Sequence, residues 1–350
     1  MARLPLTRLD AVAGDETIAD CFSDEAELSA MLAFEGALAA AQAEVGLIPA
    51  ASSEAIAAAC RRFQPDHEKL NLGMLRDGLV VPALIAQLRA SLPETHRPFL
   101  HFGSTSQDVI DSALTLRLKT VVEELDRRML TLIEKLETLR AAEGAIRLMA
   151  QTRMQRALPS TVGERITTWL LPLIRHRARL AELSPRLLVI QMGGPIGVRG
   201  DKGDAVAAAL AQRLGLGNAS AWHTARDPVA EFASWLSLVT GALGKIGQDV
   251  ALLAQNEVGV AKLAGGGTSS AMPHKNNPVV AEILVALARF NAGQLGTLHQ
   301  ALVHENERSG AAWTLEWLLL PQMAITAGAS LRHANALVIA LHFADTLGSA

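Results

Sequence analysis

Tyrosine is absent from the 350 residues, cysteine occurs twice, and aromatic side chains make up only 4%. Cys21 and Cys60 are too few for a disulfide framework and too far apart for a zinc knuckle, so both are expected as small core residues. Neither sign of charge dominates. With 32 Lys and Arg against 35 Asp and Glu, the formal net charge is -3, which removes the electrostatic case for a nucleic-acid or anionic-membrane surface. The N-terminal MARLPLTRLD has no apolar centre of the signal-peptide kind, and the best apolar run, 278–290, is interrupted by Glu282 and Arg289. A soluble, cytoplasmic protein is expected.

What the chain does have is alanine, leucine and helical periodicity. Half of its residues are hydrophobic, enough for a substantial core, and β-branched residues rarely alternate with polar ones. Apolar positions Leu114, Leu118, Val121, Leu125, Met129, Ile133, Leu136 and Leu139 recur every three or four residues, without an internal Pro or Gly. They predict one helix over about 106–142, roughly 55 Å long at 1.5 Å per residue. Comparable segments cover about 160–190, 228–263, 278–302 and 313–345, with shorter helices over 24–45, 52–63 and 80–91. The expectation is an all-α fold: a helical N-terminal domain over 1–103, then a long-helix bundle over 104–350. Helices as apolar as 278–302 need cover on more than one face, which predicts a homo-oligomer with a shared helical core.

Three segments break this pattern with residues that can hold anions. HFGSTSQDVIDSA, 101–113, places Ser104, Thr105 and Ser106 where the long helix begins. One hydroxyl there is a cap, whereas three exceed capping and, with the free first-turn amides, could hold a carboxylate. QTRMQRALPSTVGER, 151–165, carries Arg153, Gln155 and Arg156 ahead of another helix; on its own this reads more readily as solvated surface. GGGTSSAMPHKNNPVV, 265–280, combines glycines, Ser269 and Ser270, Lys275, and an Asn277–Pro278 pair that reads as an N-cap and first helical residue. QMGGPIGVRG, 191–200, matches no phosphate-loop fingerprint, HENER at 304–308 lacks the second histidine of a zinc-protease motif, and no Gly-x-Ser-x-Gly surrounds Ser269. No cofactor and no metal are therefore expected.

SSAMPHKNNP closely resembles the signature of the fumarase/aspartase superfamily, Ser-Ser-x-Met-Pro-x-Lys-x-Asn-Pro. TSQD at 105–108, TRMQRALPST at 152–161 and GGPIG at 193–197 extend the resemblance, in order, over most of the chain. The resemblance implies a homotetramer with a central helical core and active sites shared between subunits. It implies cofactor-free addition or elimination beside a carboxylate, through a carbanion stabilised as an aci-carboxylate. Carried over by position, Ser269 resembles the general base, with Lys275 and Asn277 at the substrate carboxylate. Ser104, Thr105, Ser106 and Gln155 resemble substrate-binding positions.

Arg153 stands where many lyases of the superfamily carry a histidine, so a histidine acid/base partner is not implied. Within the superfamily the chain is most similar to the bacterial 3-carboxy-cis,cis-muconate cycloisomerase branch, on the non-histidine second segment, WHTARDPVAEF at 222–232 and ERSGAAWTLEW at 307–317. That branch implies a small tricarboxylate substrate, with Arg153 and Arg308 as further anion contacts, and intramolecular lactone formation in the protocatechuate branch of aromatic degradation. An adenylosuccinate-lyase-like, fumarate-releasing enzyme is the alternative, and a non-catalytic structural homologue the alternative of another class. The small C-terminal domain common in the superfamily is expected to be absent or trimmed.

Overall fold

In the computed structural model the described residues are 7–265, 267–268, 272 and 276–347. Helices α1 (Asp10–Ala13), α2 (Glu16–Asp20), α3 (Asp24–Glu44), α4 (Ala50–Arg62), α5 (His67–Asp77) and α6 (Val81–Ala90) precede the longest one, α7 (Ser106–Glu143). A hairpin of β1 (Arg147–Thr152) and β2 (Gln155–Thr161) leads into α8 (Val162–Leu187), α9 (Gly203–Leu214) and α10 (Asp227–Leu253). Short strands β3 (Ala261–Leu263), β4 (Gly267–Thr268) and β5 (Asn276–Asn277) are followed by α11 (Val279–Leu298), α12 (Gly310–Ala340) and β6 (Leu341–Phe343).

The helix starts follow from local chemistry. Ser23 caps α3 by accepting the Ala26 N–H, Ser309 caps α12 by accepting that of Ala312, and Thr161 with Glu164 forms a reciprocal capping box on α8. The expected long helices are present with shifted ends. The segment expected to run to 263 stops at Leu253, because residues 261–263 leave the helix to pair antiparallel with 341–343. Helices α5 and α9 were not expected. Their short apolar repeats, Leu70 with Gly73 and Val206 with Leu210, are too brief to stand out from an alanine-rich background.

Two apolar clusters hold the chain. The larger one joins α7, α8, α10, α11 and α12 through residues such as Leu118, Leu125, Trp169, Trp235, Leu243 and Leu320. The second joins α3, α4 and α6 to the start of α7 and to α9, around Phe34, Leu38, Ile56, Leu84, Ile190 and Leu210. Fully burying each such side chain stabilises by about 1.5–3 kcal/mol. Helix α10 is apolar enough to cross a membrane, but over half of its apolar window is packed inside the fold; in the window running from α11 to Leu302 only 22% is buried. Val279 and Phe290 project from α11 to the outside. That is the apolar helix expected over 278–302.

Candidate active site

The start of α7 gathers three of the segments that the sequence sets apart. Thr105 is the N-cap, as a single hydroxyl in that stretch would be, and its N–H donates to Asp108 Oδ2 at 3.0 Å. Asp108 is fully buried. It also accepts the N–H groups of Gly193 and Gly194 at 2.8 and 2.9 Å, the Gln191 amide at 3.3 Å, and faces His223 Nε2 at 3.3 Å. One carboxylate thus ties the glycine-rich break at 191–197 to the helix start. Glycine is required there: a Cβ on Gly193 would lie 2.9 Å from Gly197 Cα, and Gly194 and Gly197 have φ of 64° and 80°.

One turn further along α7, Asp111 binds Arg226 in a two-pronged pair at 2.7 and 3.1 Å, and Arg226 also donates to both oxygens of Glu316. The Asp111 oxygens accept in addition from Gln107 Nε2 and Trp313 Nε1, each at 3.1 Å, while the guanidinium lies 4.6 Å from the Trp222 ring centroid. All three charged groups are at most 2% exposed. Burial pushes the Glu316 carboxyl above its ordinary range in spite of Arg226, and the two carboxylates hold the guanidinium charged against the same burial.

Arg308 closes the corner. Its Nε donates to Gln107 Oε1 at 2.8 Å, and its Nη2 reaches Thr105 Oγ1 and the Pro195 carbonyl, both at 3.4 Å. The residue remains exposed, so its guanidinium stands beside the helix N-terminus where an incoming carboxylate would meet both. Behind this corner, buried Glu35 of α3 holds His101 Nδ1 at 2.6 Å, and Gln42, two turns along the same helix, donates to the Phe102 carbonyl at 2.6 Å. His101 sits at φ 59°, a left-handed backbone fixed by these two contacts.

The other expected site residues are elsewhere. Arg153 and Met154, at φ 49° and 68°, form the two-residue tip of the β1–β2 hairpin, and residues 151–159 are all exposed. The segment read as solvated surface ahead of a helix is exposed, and it forms an antiparallel hairpin. Its strand propensity is weak, and it is the turn and the Arg147↔Thr161 register that define it. Gln155 opens β2. Asn277 lies in β5, paired with Gly267, and does not cap the next helix: Pro278 takes the flanking position and α11 starts at Val279. Ser269 and Lys275, with Ser270 and His274, lie outside the described residues.

Hairpin and β5 belong to the opposite end of α7. The helix has 38 residues, so its ends are about 57 Å apart at 1.5 Å per residue. Glu143, its last residue, accepts the Phe343 N–H at 2.7 Å and faces His342 Nδ1 at 2.9 Å; β6 in turn pairs with β3, whose Leu263 carbonyl accepts from Asn276 at 3.0 Å. One chain thus carries Thr105, Ser104, Ser106 and Arg308 at one end, and Arg153, Gln155 and Asn277 at the other. Among the described residues no group of three His, Cys, Asp or Glu side chains is arranged to hold a metal ion.

Comparison with known proteins adds to this geometry. The family model described as Lyase matches residues 12–291. The 3-carboxy-cis,cis-muconate cycloisomerase of Pseudomonas aeruginosa is 42% identical over 328 residues, covering 91% of this chain and 71% of that protein. The N-acetyl-S-(2-succino)cysteine lyase of Dickeya dadantii is 30% identical over 89% of the chain and 70% of its own length. The crystal structure of the 3-carboxy-cis,cis-muconate lactonizing enzyme from Pseudomonas putida superposes with a TM-score of 0.89 at 36% identity, covering 97% of this chain and 77% of that one.

Proposed function

Because this chain belongs to the lyase family of fumarase and aspartase, we propose that it is a cofactor-independent cycloisomerase closing 3-carboxy-cis,cis-muconate to 4-carboxymuconolactone. The observation that carries the reading is the 42% identity to the Pseudomonas aeruginosa cycloisomerase along 91% of the chain. The site chemistry agrees with it. A tricarboxylate needs several anion contacts, and the α7 N-terminus with Arg308 supplies one set.

In the reaction an oxygen of one terminal carboxylate bonds to the γ carbon, the near end of the farther double bond, and closes a five-membered lactone. The π pair moves to the neighbouring carbon and is delocalised into the carboxylate beside it. A proton then adds to that carbon, so the product is an isomer of the substrate. Ser269 is the donor in this direction and the base in reverse, with Lys275 and the loop amides stabilising its alkoxide. Asn277, Gln155 and Arg153 complete the carboxylate contacts. Since the residues of the two ends lie about 57 Å apart along α7, a complete site takes one end from each of two or more copies. The exposed apolar side of α11 supplies the surface for a homotetramer, and an isolated two-stranded hairpin such as β1–β2 is marginal in water without such a neighbour.

A second reading is a lyase that releases an unsaturated dicarboxylate; the likeness to the succinocysteine lyase supports it. Purified protein given 3-carboxymuconate, with the product identified by NMR, tests the first reading. Formation of 4-carboxymuconolactone upholds it. No turnover of the muconate, with release of fumarate from a succinyl compound, replaces it with the second.

A further inference from the structure

Gln107, the second residue of α7, is fully buried, yet its amide is engaged on both sides by groups from distant parts of the chain. Nε2 donates to Asp111 Oδ2 at 3.1 Å and to the His223 carbonyl at 2.8 Å, while Oε1 accepts from Arg308 Nε at 2.8 Å. The orientation of the amide is therefore fixed: turned over, its oxygen would face two acceptors and its amino group a guanidinium. Asp111 is not free to swing away from it, because Arg226 grips both carboxylate oxygens at 2.7 and 3.1 Å and Trp313 Nε1 donates to one of them at 3.1 Å. Beyond Gln107, Arg308 has two long contacts, from Nη2 to Thr105 Oγ1 and to the Pro195 carbonyl, both at 3.4 Å. Its Nη1 has no hydrogen-bond partner among the described residues.

We propose that Gln107 is a positioning residue: it ties Arg308 to the buried Asp111–Arg226–Glu316 cluster and leaves the Nη1–Nη2 edge of the guanidinium to receive a substrate carboxylate. The inference rests on the site reading above and names what sets the direction of that anion contact. A long side chain gives up rotamer freedom when it binds a ligand, and a guanidinium already held by its Nε gives up less. The held edge matches the two oxygens of a carboxylate, whereas a lysine at 308 would bring one point of charge and no Nε for Gln107 to hold. Gln107 itself neither gains nor loses a proton, so it acts through Arg308 alone.

Calorimetric titration of the intact protein with propane-1,2,3-tricarboxylate, a saturated tricarboxylate, tests this in a double-mutant cycle. Arg308→Ala is expected to weaken binding by about 10- to 100-fold, the loss typical of a charge-assisted hydrogen bond. Gln107→Met, which keeps the length but has no amide, is expected to weaken it by about fivefold. The double variant should bind within about twofold of Arg308→Ala alone, since the two residues act as one. Losses that multiply overturn the proposal, because Gln107 then supports only the helix start. So does undiminished binding in either single variant, or no binding to the unaltered protein. Gln107→Asn, one methylene too short to span Asp111 and Arg308, carries the same cycle if Gln107→Met does not fold. Turnover of 3-carboxymuconate is assayed on the same preparations, where Gln107→Met should raise KM and leave kcat within about twofold; a fall in kcat at unchanged KM overturns the proposal. The expected cycle without turnover refutes only the reaction, and turnover with independent losses refutes only the positioning role.

Discussion

Replacing Arg226 with methionine tests whether the buried charge cluster holds the near end of the site together. The substitution keeps much of the side-chain volume but leaves Asp111 and Glu316 facing each other without a cation, in a place where each is at most 2% exposed. Breaking one side of a buried ion pair costs about 3–5 kcal/mol, and the lost stacking on Trp222 adds about 1 kcal/mol. A chain of 350 residues has an unfolding entropy near 0.7 kcal/mol per kelvin, so a loss of about 5 kcal/mol lowers the melting temperature by roughly 7 °C.

The pH dependence separates this mechanism from simple loss of packing. Burial already raises the Glu316 pKa in the unaltered protein. A carboxyl raised by folding contributes its stability below its unfolded pKa and loses it as pH rises through the folded value. Without Arg226 the Glu316 carboxyl rises further. The melting gap between variant and parent is therefore widest near pH 8 and narrows toward pH 5. Circular dichroism melts at fixed protein concentration measure it. A gap under about 1 °C at pH 8, or one that widens on acidification, refutes the account.

Ser269→Ala is expected to lower turnover by about 10²–10⁴-fold while helical content stays unchanged, as removal of a proton-transfer group does; undiminished turnover eliminates that assignment. At Gly267 an added Cβ would lie 2.4 Å from Val279 Cγ2, so Gly267→Ala displaces β4 from α11. Turnover should fall by on the order of 10–100-fold with little change in melting temperature. Adding Val279→Ala should restore it, and failure of that rescue counts against a steric cause. Burial, with Arg179 and Arg175 nearby, depresses His176 to about 4. Stability from keeping that ring neutral is full above pH 6.5 and is lost as pH falls toward 4, by about 1.4 kcal/mol per unit. His176→Asn should flatten the melting profile in that window, and an unchanged slope assigns the acid sensitivity to other groups.

Helices over 106–142 and 278–302 were legible because their apolar stripes repeat without interruption. The hairpin was not, since β2 faces solvent over most of its length and neither strand carries an alternating pattern. Thr105 at the helix start and Arg308 beside it were legible as residue types that hold anions. Their joining through Gln107 was not, because a hydrogen bond across 201 positions leaves no local trace. The buried charges did leave one. Asp111 falls between Ile110 and Leu114 on the apolar face of a helix, and Glu316 among the tryptophans of α12, where a carboxylate survives only with a partner. Read that way, QDVID predicts a buried arginine, although not which one. The Glu35–His101 pair is equally nonlocal, and neither residue stands out alone.

The same saturation that fixes this end of the molecule limits what it can do. Asp108 accepts from three backbone N–H groups and the Gln191 amide, and Asp111 is spent on Arg226, Gln107 and Trp313. Carboxylates whose oxygens are so fully engaged have no free lone pair to turn toward a reacting carbon. Arg308 is permanently charged and transfers nothing. On the proposed reading the α7 N-terminus is therefore a rigid holder of carboxylates and needs its proton donor from elsewhere. On the proposed reading Ser269 supplies it, in a segment flanked by β4 and β5 at the far end of the helix. A chain that on this reading binds with one end and reacts with the other can turn over only when copies are joined, so dilution below the dissociation constant of the assembly should abolish activity before it abolishes helix.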